Sequence, residues 1–287
     1  LRLIKAPGLA PRRLSSYLAL MRSEDLLRPP PRGLFCPPGN FFIDPVRSVD
    51  RALITHGHSD HARSGHRHVL ATAETLSIMA ARYGTGFAGS SEAAALGETI
   101  RIGETTVSFH PAGHVLGSAQ IAVQSQGLRI VVTGDYKREM DPTCAPFEVV
   151  PCDVLITEAT FALPVFRHPS SRGEIGKLLN SISLFPERTH LVGVYALGKA
   201  QRVIALIREA GWDKPIYIHG ALEALCALYE ASGVPLGPLE LVSKTDGHLA
   251  GETAVAPPGS ITDVWSARFP DADPALASAR MPVRPRV

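Results

Sequence analysis

The 287-residue chain has little cysteine, no long apolar run and no charge excess, and each shortage narrows what it can be. Its four cysteines, Cys36, Cys144, Cys152 and Cys226, are scattered and form no C-x-x-C pair. That argues against a disulfide framework and for a reducing cytoplasm. No apolar stretch reaches the ~20 residues of a membrane-spanning helix, so no membrane partner is expected. Lys and Arg number 29 against 27 Asp and Glu, a net charge of +2, which neither requires nor excludes a nucleic-acid partner. No internal repeat is visible. What remains is a profile with 45% hydrophobic and 20% charged residues, ample for a folded core in one large domain or two ordinary ones.

Both ends read as irregular. Residues 1–23 carry Arg2, Lys5, Arg12, Arg13 and Arg22 but no acid, and are expected to be an N-terminal extension without regular structure. The last residues, with Pro282, Arg284, Pro285 and Arg286, read as an unstructured or truncated end. Between them, Phe41-Phe42-Ile43 is a short apolar strand ending at Asp44, and Arg51–Thr55 is a second. Ala73–Tyr83 has helical spacing and stops at Gly84. From Glu98 to Thr133 apolar residues alternate, and Gly127 sits where a hairpin turn is required. Val154–Thr157 is one more strand. After about residue 165 helices and strands alternate: Ser171–Phe185 helix, His190–Ala196 strand, Lys199–Ala210 helix, Pro215–His219 strand, Ala221–Ser232 helix. That order implies a small parallel sheet and a domain boundary near 160–170. The expected division is 1–23 extension, 24–165 first domain, 166–245 second domain and 246–287 irregular.

Eleven histidines matter because five fall together, at 56, 58, 61, 66 and 68. Thr55-His56-Gly57-His58-Ser59-Asp60-His61 follows a strand directly. His56 and His58 are two apart, so an extended chain points them the same way toward one ion. Asp60 and His61 follow a bend and can address a second ion. Imidazole and carboxylate suit zinc or manganese. His66 and His68 read as no more than surface-loop histidines. Downstream, His114 lies in Pro111-Ala-Gly-His-Val-Leu-Gly-Ser118, and Asp135 follows a strand in Thr133-Gly-Asp-Tyr136. A bridging carboxylate offsets the repulsion of two nearby cations. Asp44, at another strand end, is placed to orient a ligand histidine.

The ordered set His-x-His-x-Asp-His, His, Asp resembles the metallo-β-lactamase fold, and more narrowly the β-CASP nucleases. Ile156-Thr-Glu-Ala-Thr160 and Val194-Tyr-Ala-Leu-Gly-Lys-Ala-Gln201 are similar to motifs of that group. Asp25-Leu-Leu-Arg-Pro, Gly33-Leu-Phe-Cys-Pro-Pro-Gly and Phe42-Ile-Asp-Pro45 resemble bacterial ligase-associated DNA exonucleases. The likeness covers roughly residues 24–245. It implies an α/β fold, an αββα metallo-β-lactamase sandwich followed by a β-CASP parallel α/β domain, with the C-terminal part truncated. It implies one metal on His56, His58, His114 and Asp135, and a second on Asp60, His61 and Asp135. Asp60 and Glu158 would be the catalytic carboxylates. Gly198 and Lys199, at a helix start, and Lys137 and Arg138, just past Asp135, would meet substrate phosphate.

The implied activity is metal-dependent phosphodiester hydrolysis, a DNA exonuclease acting in DNA repair beside an ATP-dependent DNA ligase and a helicase. The alternatives are an RNA-processing nuclease of the same family, or a weakly active or non-catalytic nucleic-acid-binding remnant. A small-molecule hydrolase of the same fold would not carry the Glu158 and Gly198 strings. The two late histidines of β-CASP nucleases have no match: after His219 only His248 remains, in Thr245-Asp-Gly-His248, and its surroundings differ. A second metal site that is incomplete, and slow cleavage, are the expectation.

Overall fold

The computed structural model describes residues 2–5, 21–245 and 249–278; for 2–5 only the backbone is described. The chain divides into two compact units, Leu1–Ala159 and Thr160–Val287. His248 lies outside the described residues.

The first unit runs β1 (Arg2–Lys5), α1 (Ser23–Leu26), β2 (Leu34–Cys36), β3 (Phe41–Ile43), β4 (Arg51–Leu53), β5 (His66–Ala71), α2 (Ala73–Tyr83) and β6 (Ala88–Ala93). It continues with β7 (Thr99–Ile102), β8 (Thr105–Pro111), β9 (Ala119–Ser125), β10 (Leu128–Val132) and β11 (Val154–Thr157). Two sheets form, in the orders β2-β3-β4-β5-β6 and β1-β11-β10-β9-β8-β7. Alternation along the strands decides how they pack. Val107 and Phe109, Ile121 and Val123, Ile130 and Val132 share one buried cluster with Phe41, Ile43, Leu53 and Leu70 of the other sheet. The two sheets therefore close on a common core, as period-2 patterning demands. The helix α2 covers the outer face of the first sheet through Met79 against Ala52, Ile54 and Val69. The outer face of the second is met by Val150, from the long 133–153 loop, against Ala122 and Val131. At the β9–β10 hairpin both Gln126 (φ 47°) and Gly127 (φ 82°) take positive φ, the requirement of a tight two-residue turn.

Two corrections concern this unit. Arg2–Lys5, inside the expected irregular extension, pairs antiparallel with β11 as an edge strand. His66 and His68 are not loop residues: both lie in β5, where His66 is buried and its Nδ1 accepts the Val49 N–H at 3.3 Å.

The second unit runs α3 (Ser171–Leu184), β12 (His190–Gly193), α4 (Lys199–Glu209), β13 (Ile216–Ile218), α5 (Gly220–Ala231), β14 (Leu239–Leu241), β15 (Thr253–Ala256) and β16 (Asp273–Leu276). Its sheet has the order β14-β13-β15-β12-β16, with all pairs parallel. The segment expected to be irregular beyond residue 246 thus supplies the middle strand. Thr253-Ala-Val-Ala256 is buried throughout, and small residues surrounded by Pro and Gly hide the signal of an inner parallel strand. Likewise β16 pairs with β12, within this second unit. No described helix is long and apolar enough to cross a membrane.

Phe109 is fully buried between the two sheets of the first unit. Phe109→Ala should cost about 3–5 kcal/mol, read as a lower urea midpoint with an unchanged m-value.

Candidate metal centre

The donors gather at the carboxyl ends of strands. The strands β3 and β4 run parallel, and Asp44 and His56 follow their ends. The strands β10 and β11 also run parallel, and Asp135 and Glu158 follow theirs. His114 comes from the β8–β9 turn, and the Ala119 N–H bonds the Thr55 carbonyl at 2.8 Å, joining that turn to the residue before His56. Helix α2 holds both loops. Thr72 and Thr75 hydroxyls donate to the Gly117 carbonyl at 2.6 and 3.0 Å, and the Arg82 guanidinium donates to the Gly57 carbonyl at 2.7 Å. The close approach explains the glycine in His-Gly-His: a Cβ on Gly57 would stand 2.6 Å from Ile78 Cγ2.

Four ligand atoms converge, from His56, His58, His114 and Asp135, all within 4.8 Å of one another. His56 Nε2 is 3.0 Å from His58 Nδ1, and His114 Nε2 is 3.2 Å from the same atom. Asp135 Oδ2 lies 3.8 Å from His56 Nε2 and 3.6 Å from His114 Nε2. Metal–nitrogen bonds of 2.0–2.1 Å in a tetrahedron set ligand atoms about 3.3 Å apart, so these separations fit a single cation. The opposite oxygen, Asp135 Oδ1, is 3.5 Å from His61 Nε2, which is itself 3.8 Å from Asp60 Oδ2.

The tautomers follow from the surrounding bonds. Asp44 Oδ1 accepts the Thr55 N–H at 2.8 Å, and its Oδ2 accepts the Thr55 hydroxyl at 2.6 Å and His61 Nδ1–H at 2.8 Å. With its proton committed to Asp44, Thr55 Oγ1 is left to accept from His56 Nδ1–H at 3.1 Å. One carboxylate thus turns the Nε2 lone pairs of both His56 and His61 toward the cluster. Asp44 adopts φ 44°, a conformation Asp tolerates better than most residues.

Burial, followed by the charges of His61, His58 and His114, pushes the His56 pKa far down, so this wholly buried imidazole stays neutral and able to ligate. For His61 burial works against the charge. The Asp44 hydrogen bond and the carboxylates of Asp44, Asp135 and Asp60 overcome it and raise the pKa to about 9. Burial raises the Asp135 pKa, opposed by His61 and helped by Glu158, Asp60 and Asp44. Four neighbouring carboxylates, Asp60 exposed and Asp44, Asp135 and Glu158 partly buried, call for positive charge, and a proton on His61 takes the place a cation would fill.

The residues assigned to substrate phosphate do not all stand free. Lys137 is drawn inward to an ion pair with buried Asp141, whose other oxygen accepts the Thr143 hydroxyl at 2.6 Å. Arg138 is exposed. In the second unit, the Gly198 N–H donates to Gln201 Oε1 at 2.8 Å, and the Ala200 N–H donates to the Tyr195 carbonyl at 3.1 Å. This helix start satisfies those two donors internally, with Gln201 fully buried, and Lys199 beside them is half-buried. Residues without a sequence-assigned role also shape the centre. Besides Thr55 and Arg82, the Ser118 hydroxyl accepts the N–H groups of His114 and Val115 at 3.0 and 3.1 Å. Thr55 and Ser118 stand inside the motif strings; Arg82 carries no local signal.

A sandwich of two sheets with imidazoles and carboxylates converging at strand ends is the metal-binding architecture of the metallo-β-lactamase class. No protein-family model matches the chain. It is similar to "Probable DNA ligase" of Opitutus terrae, 26% identical over 252 residues, covering 83% of this chain and 23% of that protein. It is 36% identical over 142 residues to "Endoribonuclease YSH1" of Gibberella zeae, covering 45% of this chain and 17% of that protein. It is 33% identical over 130 residues to "RNase J-like protein" of Methanocaldococcus jannaschii, covering 42% and 31%. The chain therefore spans less than a third of the length of these relatives. Together with the His/Asp cluster, these likenesses support a metallo-β-lactamase-fold β-CASP nuclease family for the chain.

Two outcomes follow. Asp44→Asn should leave the chain folded but weaken zinc or manganese binding about 10–100-fold in calorimetric titration, because Asn weakens the hold on two imidazoles. Asp141→Asn should destabilise the chain by about 3 kcal/mol in urea at pH 7, since it removes the buried charge paired with half-buried Lys137. Burial opposes ionisation of Asp141, but Lys137 and Thr143 hold its folded pKa below the usual carboxylate value. Its stabilisation is therefore complete above the unfolded value near ~3.9 and is lost as pH falls through the folded one. The wild-type advantage over the variant should shrink in acid.

Proposed function

We propose that this chain is a metal-dependent phosphodiesterase, a DNA exonuclease serving DNA repair, and that it uses two divalent cations, zinc or manganese. The observation carrying this reading is the division of Asp135: Oδ2 faces His56 and His114, Oδ1 faces His61. A carboxylate shared in that way suits two neighbouring cations and a phosphodiester between them. Bound cations would supply Lewis-acid polarisation of the phosphoryl oxygens and a water acidic enough to attack at neutral pH.

The chain's own groups do the rest. His56, His58 and His114 present neutral nitrogens from a rigid frame, and Asp44 keeps His56 and His61 in the orientation that leaves Nε2 free. Asp60, with its side chain 75% exposed, is the carboxylate open to an incoming water and orients it for attack. Glu158, which acts electrostatically on Asp135, holds the negative side of that frame. Arg138, exposed beside the centre in sequence, is the cation left to meet the substrate backbone once Lys137 is committed to Asp141.

DNA is favoured by the relative named as a probable DNA ligase, whose likeness runs over 83% of the chain. The same likeness supports association with an ATP-dependent DNA ligase, and the resemblance at residues 25–45 extends that to a helicase. RNA is the second reading, favoured by the higher identity, 36%, to the endoribonuclease over a shorter stretch. Four scattered cysteines with no C-x-x-C pair support a cytoplasmic setting.

The purified chain should degrade end-labelled single-stranded DNA in manganese faster than RNA of the same sequence. His58→Ala should slow this by about 100-fold or more. Faster loss of the RNA would move the assignment to RNA processing, and binding without degradation of either would overturn the nuclease reading. Titration should show one tight cation and a weaker second, because the His61 group offers fewer donors and one of them, Asp60, is exposed. Two ions held equally tightly would contradict the weaker site.

A further inference from the structure

A short stretch directly after Glu158 is exposed, aromatic and one-signed in charge, and neither the fold nor the metal centre accounts for it. Thr160–Gly173 contains Arg167, His168 and Arg172 and no acidic residue. Phe161, Leu163 and Val165 are 40%, 65% and 58% exposed, an unusual concentration of apolar surface. Three rings gather there. Phe161 meets Phe166 and His168 edge-on, at centroid distances of 5.1 Å and near-right angles. Phe166 and His168 are close to parallel, 30° apart, with centroids 6.3 Å apart. The backbone turns on itself to make this cluster, with Phe166 N–H donating to the Leu163 carbonyl at 3.0 Å and Arg167 N–H to the Val165 carbonyl at 3.1 Å.

We propose that Phe161, Phe166 and His168, with Arg167, form a stacking platform that binds the bases of a single-stranded nucleic acid in preference to a duplex. Every base has an apolar face, so aromatic rings bind bases without reading sequence, and an adjacent guanidinium pairs with the phosphate that accompanies each one. Rings of this kind reach bases only when these are unstacked, which excludes an intact duplex. Rings already held against one another lose little freedom on binding. Three residues of chain span at most about 11 Å, so the covalent link alone keeps Phe161 near Glu158. Charge supports the choice of occupant: Arg172 is paired with Glu209 at 3.0 Å, but Arg167 is exposed beside the rings, and a cation there suits a polyanion better than an apolar protein partner.

The proposal rests on the nuclease reading, and its test keeps the two apart. Binding of a fluorescent oligothymidylate by the full chain, followed by anisotropy in EDTA, should weaken about tenfold in Phe161→Ala and again in Phe166→Ala. Phe166→Trp should restore binding, which separates a lost stacking face from a damaged fold. An abasic strand of the same length should bind the wild type weakly and not distinguish the variants. Equal oligothymidylate affinity in wild type and alanine variants, with wild-type hydrolysis of bis(p-nitrophenyl) phosphate in manganese intact, overturns the platform and leaves the nuclease reading standing. Wild type inert toward that phosphodiester removes both. A wild-type dimer in sedimentation that Phe161→Ala dissolves would reassign the cluster to self-association and overturn the platform.

Discussion

The carboxylate of Asp44 is the constraint on which the centre depends. It accepts three hydrogen bonds, one from a backbone N–H, one from a hydroxyl and one from an imidazole, and so fixes a strand end and, with Thr55, two histidines of the cluster together. The Thr55 hydroxyl has a single proton, and committing it to Asp44 decides that His56 must donate to Thr55. Imidazoles free to rotate or exchange tautomers would present N–H groups to one another, and those would repel. Held in one tautomer, the same rings turn lone pairs inward at separations suited to a cation.

The fold makes this possible because strand ends are where side chains can converge while backbone groups remain paired. Asp44 and His56 leave one sheet, Asp135 and Glu158 the other, and His114 arrives from a hairpin that α2 ties to the histidine loop. Neither sheet alone carries a complete donor set. The common core, with Phe41 on one side and Phe109 on the other, therefore sets the ligand geometry as well as the stability. Concentrating Asp44, Asp60, Asp135 and Glu158 at this junction costs folding energy: burial first, and then the neighbouring carboxylates, push the Asp135 carboxyl up, and the Asp44 hydrogen bond with the nearby carboxylates raises His61. A bound cation relieves it, so cation binding and stability of the first unit are thermodynamically linked.

Much of the first unit is legible in its sequence, because alternation and strand-end acids obey simple rules. The histidine cluster declares itself by type and spacing, and the hairpin at Gly127 by turn chemistry. Less legible is whatever depends on a distant partner. Nothing near Arg82 signals that it will hold the Gly57 carbonyl, 25 residues away. The strand Thr253–Ala256 is short, small and bounded by Gly and Pro, so its burial on both faces is a property of its neighbours. The same holds for Arg2–Lys5, an edge strand created by the free side of β11.

Metal donors and phosphate contacts differ in how far sequence can point to them, for one physical reason. Metal donors are recognisable because coordination requires particular atoms, and few other roles gather three imidazoles and a carboxylate. Phosphate contacts require only a cation or an N–H, and the chain uses both for its own purposes. Lys137 neutralises a buried Asp141, and the Gly198 N–H is closed by a buried Gln201. A group that satisfies the interior cannot also meet a substrate without leaving a buried partner uncompensated, at a cost of several kcal/mol. Substrate contacts must therefore come from groups the fold leaves exposed. That shifts the search from helix starts and motif lysines to surface residues such as Arg138, Arg167 and the rings beside it, whose exposure is a cost that binding can recover.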